Sequence, residues 1–188
     1  MHFRAPKSLR LALPALAAVA CDNPLALPPA QFANTLDTAV VYALRGTALA
    51  LPSGFDIVNA GPARTDRSEA FDFAFDIADD GAAIIYPANA LGVTTDAALL
   101  VSDQTFESVL TAPTDGFQRD TAVTVVVGTV LIGRSRVSNV GCALVGALPR
   151  YGKFRVLAVD LGTRALTLET LINTNCGYRD LEPGLPEN

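Results

Sequence analysis

Phe71-Asp72-Phe73-Ala74-Phe75-Asp76-Ile77-Ala78-Asp79-Asp80-Gly81-Ala82-Ala83-Ile84-Ile85-Tyr86-Pro87 is the stretch that decides the fold class. Phe71, Phe73, Phe75 and Ile77 alternate with Asp72, Ala74, Asp76 and Ala78, a period of two that predicts a strand with one apolar and one wet face. Asp80-Gly81 then reads as a two-residue hairpin turn, because both residues tolerate the positive φ such turns require. Counting outward from it sets Ile77 opposite Ile84 and Phe75 opposite Tyr86, so that hydrophobic register and turn chemistry agree. Pro87 closes the return strand.

Working outward, Thr38–Leu44 and the Ala48–Val58 region are further strand candidates. Thr121–Val137 is a long β-rich run in which Gly128 and Gly133 mark bends, and its apolar first half predicts a central position. Lys153–Leu171 reads as a hairpin closed by Asp160-Leu161-Gly162, pairing Val156 with Leu166, Phe154 with Leu168 and Lys153 with Glu169. Ser102–Leu110 is the best helix candidate, capped by Ser102 and stopped by Pro113. Asp180–Asn188, with Pro183 and Pro186, is expected to have little regular structure. The expected architecture is all-β: one antiparallel β-sandwich or small β-barrel with one short helix.

The N-terminal segment follows a different plan. Arg4, Lys7 and Arg10 stand in a basic end without acids, Leu9 to Ala20 is apolar apart from Arg10, and small residues precede Cys21. That is the layout of a secretory signal, and its apolar core is about half the ~20 residues that a spanning helix needs. Ala18-Val19-Ala20 fits an ordinary A-x-A cleavage site, which would release a soluble protein. The same residues with Cys21 resemble a bacterial lipobox, and the resemblance covers the signal region alone. It implies that Cys21 is lipid-modified and becomes the new N-terminus. The third reading, a buried helix, is disfavoured by the basic flank. The odd cysteine count separates the first two, since lipidation of Cys21 leaves Cys142 and Cys176 as a pair suited to a disulfide in an oxidising compartment. The expected divisions are a signal peptide (1–20), a lipidated Cys and Pro-rich tether (21–30), a β domain (31–180) and a tail (181–188).

Composition removes several function classes. Without residues 1–20 the chain carries eleven basic and 19 acidic residues, a net charge of −8 that makes nucleic acid a poor partner. The only histidine, His2, and the only methionine, Met1, lie in the leader. The mature chain therefore lacks the side chain that Ser-His-Asp and Cys-His sites need, and no metal site or cofactor is expected. Asp76, Asp79, Asp80 and Gly81 depart from the calcium-loop template at Ala78 and Pro87 and read as a turn with solvated acids. Asp72 and Asp76, on the wet face of their strand, are a remote candidate pair for glycoside hydrolysis. Arg134, Arg136, Arg150 and Arg155 are expected to pair with neighbouring acids rather than form an anion pocket, and Lys153 reads as a strand-end charge.

The resulting expectation is an exported, non-catalytic envelope lipoprotein with a binding or assembly role. Its partners would be membrane lipid, through acylated Cys21, and an envelope protein or small apolar ligand. The alternatives are a β-barrel carrier of a small apolar ligand and, last, a carboxylate-based hydrolase.

Overall fold

The computed structural model describes residues 27–142 and 146–186. Ten strands form in chain order: β1 (Leu36–Tyr42), β2 (Gly54–Asp56), β3 (Gly61–Ala63), β4 (Phe73–Ile77), β5 (Ala83–Pro87), β6 (Ala98–Ser102), β7 (Val123–Val125), β8 (Val130–Arg134), β9 (Tyr151–Asp160) and β10 (Ala165–Asn173). They pair antiparallel into two five-stranded sheets, β1-β10-β9-β8-β6 and β3-β2-β4-β5-β7, packed face to face as a β-sandwich.

Three phenylalanines fill the centre. Phe55 stacks on Phe73 at 5.4 Å between ring centroids, and Phe154 of the opposite sheet meets both edge-on at 5.2 and 5.1 Å. Edge-to-face packing sets a positive ring edge against a negative ring face in each pair. Gly133 and Gly152 face each other across β8 and β9 and leave the space this packing needs. A methyl group on Gly133 would stand 2.7 Å from Ile57 Cδ1 and 2.9 Å from Phe154.

The β4–β5 hairpin is one register step away from the two-residue-turn expectation. Phe75 pairs with Ile85 and Ile77 with Ala83, while Ile84 and Tyr86 stand opposite Asp76 and Ala74. Ala78 N–H donates to Ala82 O at 2.9 Å, which closes a three-residue loop, Asp79-Asp80-Gly81, with Gly81 left-handed at φ 88°. The extra residue puts glycine at the position where positive φ is required. Asp72 and Asp76 are buried, so the wet face expected for this strand is an interior face.

The last hairpin also differs. Its loop has four residues, because Asp160 pairs with Ala165 and Arg164 takes the left-handed position at φ 54°. The Asp160 carboxylate holds the loop by accepting from Gly162 N–H and Thr163 N–H at 2.8 and 3.0 Å. A bulge at Thr167/Leu168, with Leu157 the extra residue on β9, takes back one of the three steps that the loop introduces. Val156 therefore pairs with Leu168, Phe154 with Thr170 and Lys153 with Leu171, and Glu169 faces Arg155 instead of Lys153.

Thr121–Val137 is not one strand. It crosses between the sheets at Gly128 (φ 91°), so β7 is an edge strand of one sheet and β8 lies in the other. The helix expected from Ser102 shrinks to a 3-10 turn, Phe106–Ser108, capped by Thr105. Ser102 remains in the ladder opposite Val130 and Thr111 bridges Asp180, so the backbone at both ends of the segment is drawn to strand partners. The tail is ordered by its backbone: Leu181 is fully buried, its N–H donates to Leu110 O at 2.7 Å, and Gly184 exchanges hydrogen bonds with Asn34 at 2.7 and 2.9 Å. Among the described residues no helix is long and apolar enough to cross a membrane.

Phe154→Ala is expected to cost about 3–5 kcal/mol by opening the aromatic centre. Gly133→Ala should cost about 1–3 kcal/mol by overfilling it. Chemical denaturation of each variant measures both.

Candidate functional site

Two polar assemblies meet at the end of the sandwich where β9 begins and β10 ends. The first is a buried knot of four charges. Asp72 accepts from Ile57 N–H at 2.6 Å and from Arg136 N–H at 2.7 Å, and the Arg136 guanidinium stands 3.2 Å away. The same guanidinium donates to Asp56 at 3.0 Å, and Asp56 also receives the Asn59 side chain at 2.6 Å. Arg136 follows β8, whereas Asp56 and Asp72 belong to β2 and the approach to β4, so the knot ties one sheet to the other. Arg150, the fourth charge, donates to the carbonyls of Thr174, Val58 and Val140 at 2.8, 2.8 and 2.5 Å.

The charges balance, yet the interior exacts a cost. Burial pushes the Asp72 carboxyl up to about 6, outweighing the Arg136 backbone bond, the Arg136 charge and the Ile57 bond that favour its ionised form. Burial likewise lowers the Arg150 guanidinium.

The second assembly is a clamp on the first residues of the domain. Asn175 accepts from Gln31 N–H and Phe32 N–H at 2.8 and 3.1 Å and donates back to Phe32 O at 2.8 Å. The Tyr178 hydroxyl donates to Pro28 O at 2.8 Å. Residues 28–30, expected to belong to a free tether, are thus held against the segment that follows β10. Cys176 lies within that segment, at bonding distance from Cys142, with Cα atoms 5.6 Å apart. Arg150 Nη2 stands 3.8 Å from Cys176 Sγ, joining the clamp to the knot. Between them lies a cleft of about 160 Å3 lined by Pro29, Phe32, Gly141, Arg150, Asn175 and Tyr178.

The remaining site expectations fall as follows. Cys21 lies outside the described residues. Asp72 and Asp76 do not form a pair. Asp72 is bound into the knot, whereas Asp76 is held by Arg45 at 2.5 Å and faces Arg164 at 3.6 Å, four residues or up to ~13 Å further along the strand. Each carboxylate is thus committed to its own donors, which leaves neither free to flank a glycosidic bond with the other. Asp79 lies in the hairpin loop, 3.5 Å from Arg45. Arg136 pairs with acids as expected, and so does Arg155, with Glu107 at 2.7 Å and Glu169 at 2.5 Å. Arg134 instead donates to Asp96 O at 3.3 Å and covers the Phe117 ring.

Lys153 is no strand-end charge. It is buried inside β9, where Nζ donates to Val109 O at 2.9 Å and sits 4.7 Å above the Phe106 ring. Burial lowers its pKa, against the opposing influence of Glu107, Glu182, Glu169 and Asp180. The charged knot is the feature that period-two reading missed. Its trace in the sequence is that the supposed wet face of β4 offers Ala74 and Ala78 beside the acids, small apolar residues suited to an interior.

No protein-family model matches the chain, and comparison with curated proteins finds no match.

Two measurements test this geometry. A raised folded-state pKa means that Asp72 binds its proton more tightly in the folded protein, so its contribution to stability grows as pH falls from about 7 towards 5. The gain is about 1 kcal/mol over that range. The lowered carboxyls of Asp66, Glu107 and Asp160 lose their contributions only below the ordinary carboxylate range. Denaturation midpoints should therefore rise from pH 7 to pH 5, and Asp72→Asn should remove that slope. Separately, reducing the Cys142–Cys176 pair should lower stability by about 3–4 kcal/mol for a loop of 34 residues, read by denaturation with and without reductant.

Proposed function

We propose that the chain is an exported envelope lipoprotein, anchored through acylated Cys21, whose β-sandwich serves a non-catalytic binding or assembly role. The observation that carries this reading is the clamp. The domain's first residues are fastened by Asn175 and Tyr178 to a segment braced by the cysteine pair, immediately downstream of the cysteine that the lipobox resemblance marks. From Cys21 to Leu27 the chain reaches on the order of 20 Å when fully extended. A lipid on Cys21 would therefore keep the clamped end of the sandwich near the membrane, and the load would fall on a cross-linked corner instead of a fraying edge.

Two further features support a binding role. The buried charges are engaged in joining the sheets, which is structural work. The space between the sheets is filled by Phe55, Phe73 and Phe154, so the interior that a barrel carrier would reserve for ligand is occupied by side chains.

Intact-mass analysis of protein extracted from membranes tests the anchor. A diacylglyceryl adduct on Cys21 is expected, and Cys21→Ala should shift the protein out of the membrane fraction. An unprocessed chain beginning at Met1 would overturn the reading.

A further inference from the structure

The opposite pole of the sandwich carries an apolar surface that neither the fold nor the anchor uses. Val126 and Val127 are 66% and 64% exposed, and Leu161, at the tip of the β9–β10 hairpin, is 59% exposed. With Ala83, Val125 and Val159 they line an open groove of about 380 Å3. The valines are rigidly presented. Val126 N–H donates to Thr129 Oγ1 at 3.0 Å, Thr129 N–H returns to Val126 O at 2.9 Å, and Gly128 N–H is held by Val156 O at 2.8 Å. Beside them runs β7, an edge strand bonded to β5 on one side and to no strand on the other among the described residues. A short, β-branched edge next to exposed apolar side chains is a template for adding one more strand.

We propose that this groove and the free edge of β7 bind an extended apolar segment of another envelope protein, flanked by basic residues. This rests on the lipoprotein reading above for the partner's compartment and for removal of the leader. Charge supplies the flanks. Asp80 directly precedes the lining residues Gly81 and Ala82, Asp160 directly precedes Leu161, and Asp79 is fully exposed. Arg164 is drawn to Asp76 and Arg45 to Asp76 and Asp79, and among the described residues no cation pairs with Asp80 or Asp160, which leaves this rim acidic. A mature chain of net charge −8 also opposes a second copy at close range. The chain's own N-terminal segment is a poor occupant once processed. The clamp and the groove lie at opposite ends of β9, whose ten residues extend about 33 Å, beyond the ~20 Å reach from Leu27 back to Cys21.

The test titrates the full mature chain into labelled peptides with a Val-Thr-Val-Thr-Val core, flanked by Arg, Glu or Ser, and follows fluorescence anisotropy. Saturable binding of the Arg-flanked peptide is expected in the submillimolar range, at least tenfold weaker with Glu flanks and weakened by salt. Val127→Asp and, independently, Leu161→Asp should each weaken it at least tenfold while retaining the wild-type thermal midpoint. N-methylation of alternate peptide amides should abolish it. No saturation at 1 mM, equal binding by both variants, or indifference to flanking charge would overturn the proposal. Concentration-dependent dimerisation lost in Val127→Asp would overturn it in favour of a second copy, and binding to neutral phosphatidylcholine vesicles through the same valines in favour of a membrane surface. The peptide assay is read on protein with or without lipid on Cys21, so failure of the anchor and failure of the groove are separate results.

Discussion

The guanidinium of Arg136 lies between Asp56 and Asp72, and this shared ion contact ties the two sheets at one end of the sandwich. Each carboxylate is removed from water, so each needs compensation from named donors: Ile57 N–H and Arg136 N–H for Asp72, Asn59 and the guanidinium for Asp56. Apolar packing alone would hold the sheets together without specifying how they meet. A charged contact with directional partners permits few alternatives, because sliding one sheet past the other would strand a buried carboxylate. The Phe55–Phe73–Phe154 centre supplies area and dispersion, and the knot supplies alignment.

The same end of the molecule carries a second polar assembly. Arg150 links the knot to the carbonyls around Cys176, and Asn175 and Tyr178 link that segment to the first residues of the domain. The cysteine pair joins the backbone at Cys142 to the segment after β10, both outside the named strands, and the loop it closes holds the whole β9–β10 hairpin. The domain's first residues, the covalent brace and the Arg136 knot therefore lie together, and the opposite pole carries hairpin tips, exposed valines and acids. This asymmetry suits a domain held at one end and presenting the other.

The structure also shows how interior charge is tolerated without histidine. Lys153 keeps its amine in a carbonyl and aromatic environment beneath the Phe106 turn, while Arg155 beside it satisfies two glutamates. Loops bring acceptors to these cations, and the strands alone would not. That is why short segments of little regular structure, such as residues 105–112 and 174–185, are packed instead of free.

The all-β class, the antiparallel pairing, the two hairpins and the partnership of Cys142 with Cys176 were legible in local pattern. Side-chain alternation, turn residues and cysteine parity each act over a few residues or follow from composition, so they survive without knowledge of the fold. Register was not legible to that depth. One extra loop residue at Asp79 and one bulge at Thr167 each move every downstream pair, and both depend on which backbone groups find partners elsewhere. The division of Thr121–Val137 between two sheets and the burial of Asp72, Asp76 and Lys153 likewise belong to tertiary structure. Whether a strand's second face meets water or another layer is settled by what packs on it. An acid or lysine can enter the interior only when distant residues, here Arg136, Arg45, Arg164 and the Val109 carbonyl, arrive to meet it.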